Sequence, residues 1–188
     1  MRAATTRPPR PQTPPKTPRV AASIDIRPVT RAEAAAWRAL RLEMLERHPT
    51  AFNSSYEEWR DRDLDAFAAR IPESGPDVLF GAYVGDALSG SAGFSREPRL
   101  KTAHKGVMSS LYVKAEWRGR RVGEALIQRV IGHAREHVSL LLCSVASDNA
   151  AASGLYRRMG FVAYGTEPRA LRYGGRDYDE DLLVLTLD

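Results

Sequence analysis

Leu111-Tyr112-Val113-Lys114-Ala115-Glu116-Trp117-Arg118-Gly119-Arg120-Arg121-Val122-Gly123-Glu124-Ala125-Leu126 is the stretch on which the reading of this 188-residue chain turns. An apolar, strand-like run feeds a short basic loop, and the loop opens directly into a helix. The first turn of a helix leaves its N–H groups without intrahelical partners, and the macrodipole adds partial positive charge there. Gly119 and Gly123 permit close backbone approach, while Arg118, Arg120 and Arg121 add formal charge. Together these make an anion site, and a pyrophosphate is its natural guest. The stretch is neither a Walker loop nor a dinucleotide fingerprint, since G-x-x-x-x-G-K-[S/T] and G-x-G-x-x-G are absent.

Outward from this point the periodicity alternates between two and 3.6. The helix runs from about Arg121 to His137, with Ala125, Leu126, Val130 and Ile131 on one face, and a strand follows from Leu140 to Val145. Asn149 to Met159 reads as a short helix closed by Gly160, and strands at Phe161–Tyr164 and Asp181–Leu187 flank a turn at Tyr173-Gly174-Gly175. On the N-terminal side, Lys105–Val113 is a strand, and Val78–Val84 with Ala87–Phe94 forms a hairpin around Gly85-Asp86. Before it, Ile24–Val29 alternates as a half-buried strand. Thr30 with Glu33 opens a helix to about Arg47, with Trp37, Leu40, Met44 and Leu45 as its core stripe, and Ser54 with Glu57 opens a second helical stretch to about Ile71. Seven strands in this order predict an α/β (α+β) mixed sheet with helices on both faces.

The quoted loop resembles the acetyl-coenzyme A loop of the GNAT acetyltransferase superfamily, [Q/R]-x-x-G-x-[G/A], with Arg118 first, Gly123 last and Arg121 where the middle glycine is usual. Asn149-Ala150-Ala151-Ala152-Ser153-Gly154-Leu155-Tyr156-Arg157-Arg158-Met159-Gly160-Phe161 resembles the family's N-x-x-A-x-x-L-Y-x-x-x-G-F at every named position. The resemblance covers about residues 24–187 and is strongest from Lys105 to Phe161. It implies a mostly antiparallel, twisted central sheet and an N-acetyltransferase with acetyl-CoA as acetyl donor and no metal. By the same resemblance Arg118, Gly119, Arg120, Arg121, Val122, Gly123 and Glu124 bind the pyrophosphate. Leu111, Tyr112 and Val113 offer backbone groups to the pantetheine arm, and Asn149, Ser153 and Tyr156 meet the cofactor from the following helix.

The implied chemistry is direct attack of a primary amine on the thioester. Tyr156, a phenol protonated at neutral pH, is the candidate general acid for the departing thiolate. The strand before the loop, Val107-Met108-Ser109-Ser110-Leu111-Tyr112, lacks the glutamate that many relatives are thought to use. His104 is the first alternative base, because imidazole titrates near working pH; water relayed through Ser109 or Ser110 is another. Asp177, Asp179 and Glu180 read as solvated acids of a polar turn. Phe52, Tyr56 and Trp59 are candidates to line an acceptor pocket, with Glu57 or Glu58 attracting a cation, or Tyr56 and Trp59 simply pack the helix down. The acceptor is expected to be a small-molecule amine, with a peptide amine or a non-catalytic acyl-CoA-binding role as alternatives, and a homodimer is left open.

Composition narrows the remaining classes. Residues 1–22 hold Arg2, Arg7, Arg10, Lys16 and Arg19 and no acid, and residues 1–19 hold six of the twelve prolines, so residues 1–22 read as a disordered tail before a domain over 23–188. Without those five cations the chain has 23 basic and 23 acidic residues, so the net charge of +5 argues for no nucleic-acid groove. No apolar run approaches the ~20 residues that span a bilayer, so no membrane partner is expected. Cys143, the lone cysteine, excludes an internal disulfide and suits a reducing cytoplasm; within Leu140-Leu141-Leu142-Cys143 it reads as a small buried hydrophobe.

Overall fold

A computed structural model describes residues 23–187. The expected tail over residues 1–22 lies outside the described residues. Strands β1 (Ile24–Pro28), β2 (Val78–Val84), β3 (Ala87–Arg96), β4 (Lys105–Val113), β5 (Leu140–Ala146), β6 (Val162–Tyr173) and β7 (Arg176–Thr186) form one sheet in the order β1-β2-β3-β4-β5-β7-β6. Every neighbouring pair is antiparallel except β4 with β5. Helices α1 (Ala34–Arg47), α2 (Tyr56–Trp59) and α3 (Leu64–Ala68) precede β2, α4 (Val122–Ala134) joins β4 to β5, and α5 (Ala150–Arg158) joins β5 to β6.

The alternation of the central strands builds two cores. Phe80, Phe94, Met108, Leu141 and Leu183 pack with Leu126, Ile127 and Val130 of α4 and Tyr156 of α5. Leu79, Tyr83, Leu88 and Tyr112 pack with Trp37, Leu40, Met44 and Leu45 of α1, together with Trp59 and Phe67. The expected mixed sheet with helices on both faces is therefore present. The predicted α1 stripe is buried, and Thr30 and Glu33 close their capping box, with the Thr30 N–H donating to Glu33 over 2.9 Å.

Three expectations are corrected. The second capping box uses Ser55 and Glu58 rather than Ser54 and Glu57. Both residues are doubled in the sequence, and the realised register turns Trp59 inward. The single helix expected up to Ile71 is two, because Asp63 caps a new start by accepting from Ala66 N–H at 2.9 Å. The last hairpin is far longer than Phe161–Tyr164 and Asp181–Leu187 suggest. Its outer strand β6 is largely exposed and polar, so no apolar alternation marks it, and the ladder to β7 holds it around the predicted turn.

Candidate active site

The sheet opens in the middle. β4 and β5 pair only where Lys105–Val107 lie beside Leu140–Leu142. Beyond that point β5 continues with β7 as far as Ala146 opposite Glu180, while β4 continues with β3 to Val113. The divergence coincides with a bulge, one extra β4 residue between the partners of Ser91 and Gly93. Ser110 stands there at φ 56°, and its carbonyl accepts a 2.8 Å hydrogen bond from the buried Ser91 hydroxyl. A left-handed serine costs about 1–2 kcal/mol, so packing and that hydrogen bond must hold it. The gap becomes a cleft of about 590 Å³, bordered by Ser109, Ser110 and Leu111 of β4, Ser144 and Ala146 of β5, and side chains from both faces of the sheet.

The helix mouth takes the form read from the sequence. The first α4 amide with a helical partner is that of Ala125, which donates to Arg121 O at 3.0 Å, and no side chain caps the N-terminus. Gly119 has φ +72° and open space around it. Arg121 also adopts a left-handed conformation, φ 62°, at the position where the family pattern has glycine. Its side chain folds onto Glu124 at 2.8 Å, and Glu124 also faces Arg158 at 3.7 Å. Arg118 is exposed but tied back to the fold: Nε donates to Val113 O at 2.9 Å and a terminal nitrogen donates to His48 Nε2 at 2.9 Å. Burial, then Arg118 and Arg47, holds the His48 imidazole below its usual range, so it can accept. Arg118 therefore braces the loop, while Arg120 lies over Trp117 at 4.6 Å. Val122 packs into the core and reaches a ligand by its backbone only.

Helix α5 stands beside this mouth. A Cβ placed on Gly123 would come 3.2 Å from the Leu155 side chain, which would have to shift by a few tenths of an ångström, so the two helices meet closely here. Asn149 caps α5, accepting from Ala152 N–H at 3.1 Å. Ser153 Oγ is buried with no partner among the described residues. Unpartnered amides, open space at Gly119 and an orphaned hydroxyl are what a diphosphate with a polar arm would satisfy, so the residues present fit such a group.

Tyr156 forms part of the cleft wall and packs edge-on against Phe161, ring centroids 5.5 Å apart. Burial, with Cys143 adding to it, pushes its phenol well above the ordinary range, so it keeps its proton. Tyr112 is different: its hydroxyl donates to Glu43 at 2.9 Å beneath α1, and burial, then that bond, raises it to about 12. Its side chain belongs to the core beneath α1 and does not border the cleft.

His104 is not brought to this place. It precedes β4 at the strand's far end, in a separate depression with Arg96, Arg135 and His137. Of the acids that read as solvated in the polar turn, Glu180 reaches the cleft and is 5% exposed. Pairing of β7 with β5 puts it opposite Ala146, and neither its neighbours Asp179 and Asp181 nor the continuous apolar run after it betrays that placement. Phe52 borders the cleft, whereas Tyr56 packs against the α1 core and Glu57 is exposed outside it. Arg41 also borders it, unnoticed in the sequence; its signal is the spacing of four from Trp37, which puts a cation on the buried face of α1. Cys143 is buried, and burial lifts its thiol to about 12, the inert small hydrophobe expected.

Among the described residues no helix is long and apolar enough to cross a membrane, and no His/Cys/Asp/Glu group could hold a metal ion. Residues 37–161 match the acetyltransferase (GNAT) family. An L-methionine sulfoximine/L-methionine sulfone acetyltransferase of Pseudomonas aeruginosa is 36% identical over 137 residues, 69% of this chain and 79% of that protein. A GCN5-related N-acetyltransferase from Kribbella flavida superposes with a TM-score of 0.75 at 23% identity, covering 87% of this chain and 98% of that one. Salmonella typhimurium yncA, whose structure holds its cofactor acetyl-CoA, superposes with a TM-score of 0.75 at 22% identity, covering 88% and 95%. These two likenesses concern the fold; the family match and the Pseudomonas relative carry the assignment: the chain belongs to the GNAT acetyltransferase family.

Proposed function

We propose that the protein is an N-acetyltransferase that moves the acetyl group of acetyl-CoA to the primary amine of a small molecule by direct attack. The observation that carries this reading is that Tyr156 and Glu180 border one cleft, opened where β4 and β5 part. Acetyl-CoA supplies a thioester with a thiolate leaving group. The amides of Gly119–Glu124 hold the diphosphate, with Arg120 adding charge and Ser153 a hydroxyl. The edge of β4 beyond Val107 has no strand beside it, and its Leu111 and Val113 N–H groups hold the arm and polarise the carbonyl, Val113 O being held by Arg118. Glu180 attracts the acceptor ammonium and accepts its proton, a necessary step because an ammonium has no lone pair. Tyr156 holds a proton at its phenolic oxygen for the departing sulfur.

The Pseudomonas relative is named for acetylating small amine-bearing molecules, and the Salmonella neighbour for its acetyl-CoA, which supports both halves of the reading. The test is a thermal melt with and without millimolar acetyl-CoA, followed by thiol release against a library of amines. A ligand at 100 times its Kd adds about 2.7 kcal/mol of stability, so the melting temperature should rise by several degrees. An unchanged melt together with no thiol release from any amine would remove the proposal.

A further inference from the structure

Two cations, Arg41 and Arg70, border the cleft without an ion-pair partner among the described residues. Arg41 is only 9% exposed, on a helix face otherwise made of Trp37, Leu40, Met44 and Leu45. Its guanidinium lies 5.7 Å from the Trp59 ring and 5.9 Å from Phe52. Arg70 approaches the same Trp59 ring at 5.2 Å. Burial, then the Arg70 charge, pushes Arg41 down to about 10, still protonated at neutral pH, and no carboxylate counters either influence. Aromatic faces attract a guanidinium but satisfy none of its in-plane N–H donors. The desolvated Arg41 charge, with the exposed Arg70 charge beside it, is costly unless an anion joins it.

The same cleft also carries the opposite charge. Glu180 is buried, and Asp77, the other acid at the cleft, accepts from Arg96 N–H at 2.9 Å. An acceptor that matches both ends bears an ammonium and an oxyanion. The cleft's 590 Å³ must also take the donor arm, which keeps that acceptor small.

We propose that Arg41 and Arg70 form a carboxylate-binding subsite, so that the acceptor is a small zwitterionic amino acid whose apolar side chain rests against Trp37 and Phe52. This rests on the acetyltransferase reading above. It adds which end of the acceptor is held, by which residues, and what chemical class follows.

The experiment compares L-leucine with L-leucinamide, which keeps the amine and loses the carboxylate, using thiol release from acetyl-CoA by the full chain. Leucine should be preferred in kcat/KM by about 10- to 100-fold, the worth of a hydrogen bond to a charged group. Arg41→Met, which leaves no charge to bury, should cut leucine kcat/KM by that factor and shrink the preference equally; the exposed Arg70→Ala should do so in part, independently of any folding defect at Arg41. Acetyl-CoA Kd, read by calorimetry, should not move in either variant. A preference for leucinamide, or a preference that survives both substitutions, overturns the subsite. So does a weakened acetyl-CoA Kd, which would make these arginines phosphate ligands of the donor. If acetyl-CoA raises the melting temperature yet leucine and leucinamide react equally or not at all, the subsite fails and the parent reading stands. If acetyl-CoA neither binds nor reacts, the parent reading falls and the subsite with it.

Discussion

Replacing Tyr156 by Phe removes one oxygen and separates catalysis from stability. The ring is 7% exposed and packs against Phe161. What shifts its phenol is burial and Cys143, with no hydrogen-bond partner contributing, so Phe strands no protein group. A volume-conserving change of that kind should alter stability by less than about 1 kcal/mol, against about 3–5 kcal/mol for truncating a buried aromatic to Ala. The rate should respond very differently. General acid catalysis is worth roughly 10²–10⁴-fold. The lower end applies here, because thiols ionise near pH ~8.5 and a thiolate leaves tolerably without help. The expected loss in kcat is therefore about 100-fold, or about 2.7 kcal/mol in the barrier.

The assay is thiol release at saturating acetyl-CoA, with parallel melts to show that acetyl-CoA still stabilises the variant. Since burial raises the Tyr156 pKa, its proton is retained as pH rises past the ordinary phenol value of ~10. Wild-type kcat should consequently show no alkaline limb from this group below about pH 10. A variant with kcat within threefold of wild type, or one that no longer binds acetyl-CoA, would refute the assigned role.

Glu180→Gln should lower acceptor kcat/KM by about 10²-fold or more while acetyl-CoA Kd holds, as calorimetry and steady-state rates would show. Arg120→Ala and Arg118→Ala should each weaken acetyl-CoA binding by about 3–10-fold. The Arg120 effect should fade at high salt as exposed charge does, whereas Arg118→Ala should persist because that residue braces the loop through Val113 and His48. Glu33, held down at about 2 first by its bond to Arg27, should stabilise the fold fully above its unfolded pKa of about 4.5 and lose that contribution as pH falls toward 2. Arg27 is 43% exposed, so screening reduces the worth to about 1 kcal/mol; Glu33→Gln should cost that much in urea melts at pH 7 and progressively less at pH 3.

What could be read from the sequence was local. The α4 mouth follows from residues within one turn of each other, and Asn149, Tyr156 and Gly160 take their positions from a single helix, Gly160 closing it at φ +92°. Period marks most of the strands and the order of elements implies helices on both faces, but nothing in the period gives the length of the exposed β6. The rest depends on partners distant in the chain. Glu180 is buried because β7 lies beside β5, which no run of residues around it announces. His104 looked suitable by its chemistry, yet the length of β4 separates it from the bulge. Arg41 was hidden by the opposite bias: a charge on a helix is read as solvated, although its spacing from Trp37 put it on the buried face. The bulge itself lacks a glycine or proline to mark it, since Ser110 adopts the left-handed conformation that such residues usually signal.

These particulars share one cause. A β4 running straight would pair with β5 along its length, and its backbone groups would be satisfied within the sheet. The extra residue at Ser110 turns the strand aside after Val107, leaving the edge that carries Leu111 and Val113 without a protein strand beside it. Backbone groups inside a fold rarely stay unpaired, so an edge in this position calls for an extended, amide-bearing guest rather than a compact one. A guest of that shape, anchored by its phosphates at the α4 mouth beside Val113, would thread the gap and pass Tyr156. Its reactive end would then emerge on the face where Glu180, Arg41 and Phe52 stand. On the proposed function, the strained serine, the short parallel pairing and the acid buried on β7 are one arrangement: an interrupted sheet through which donor and acceptor would meet from opposite sides.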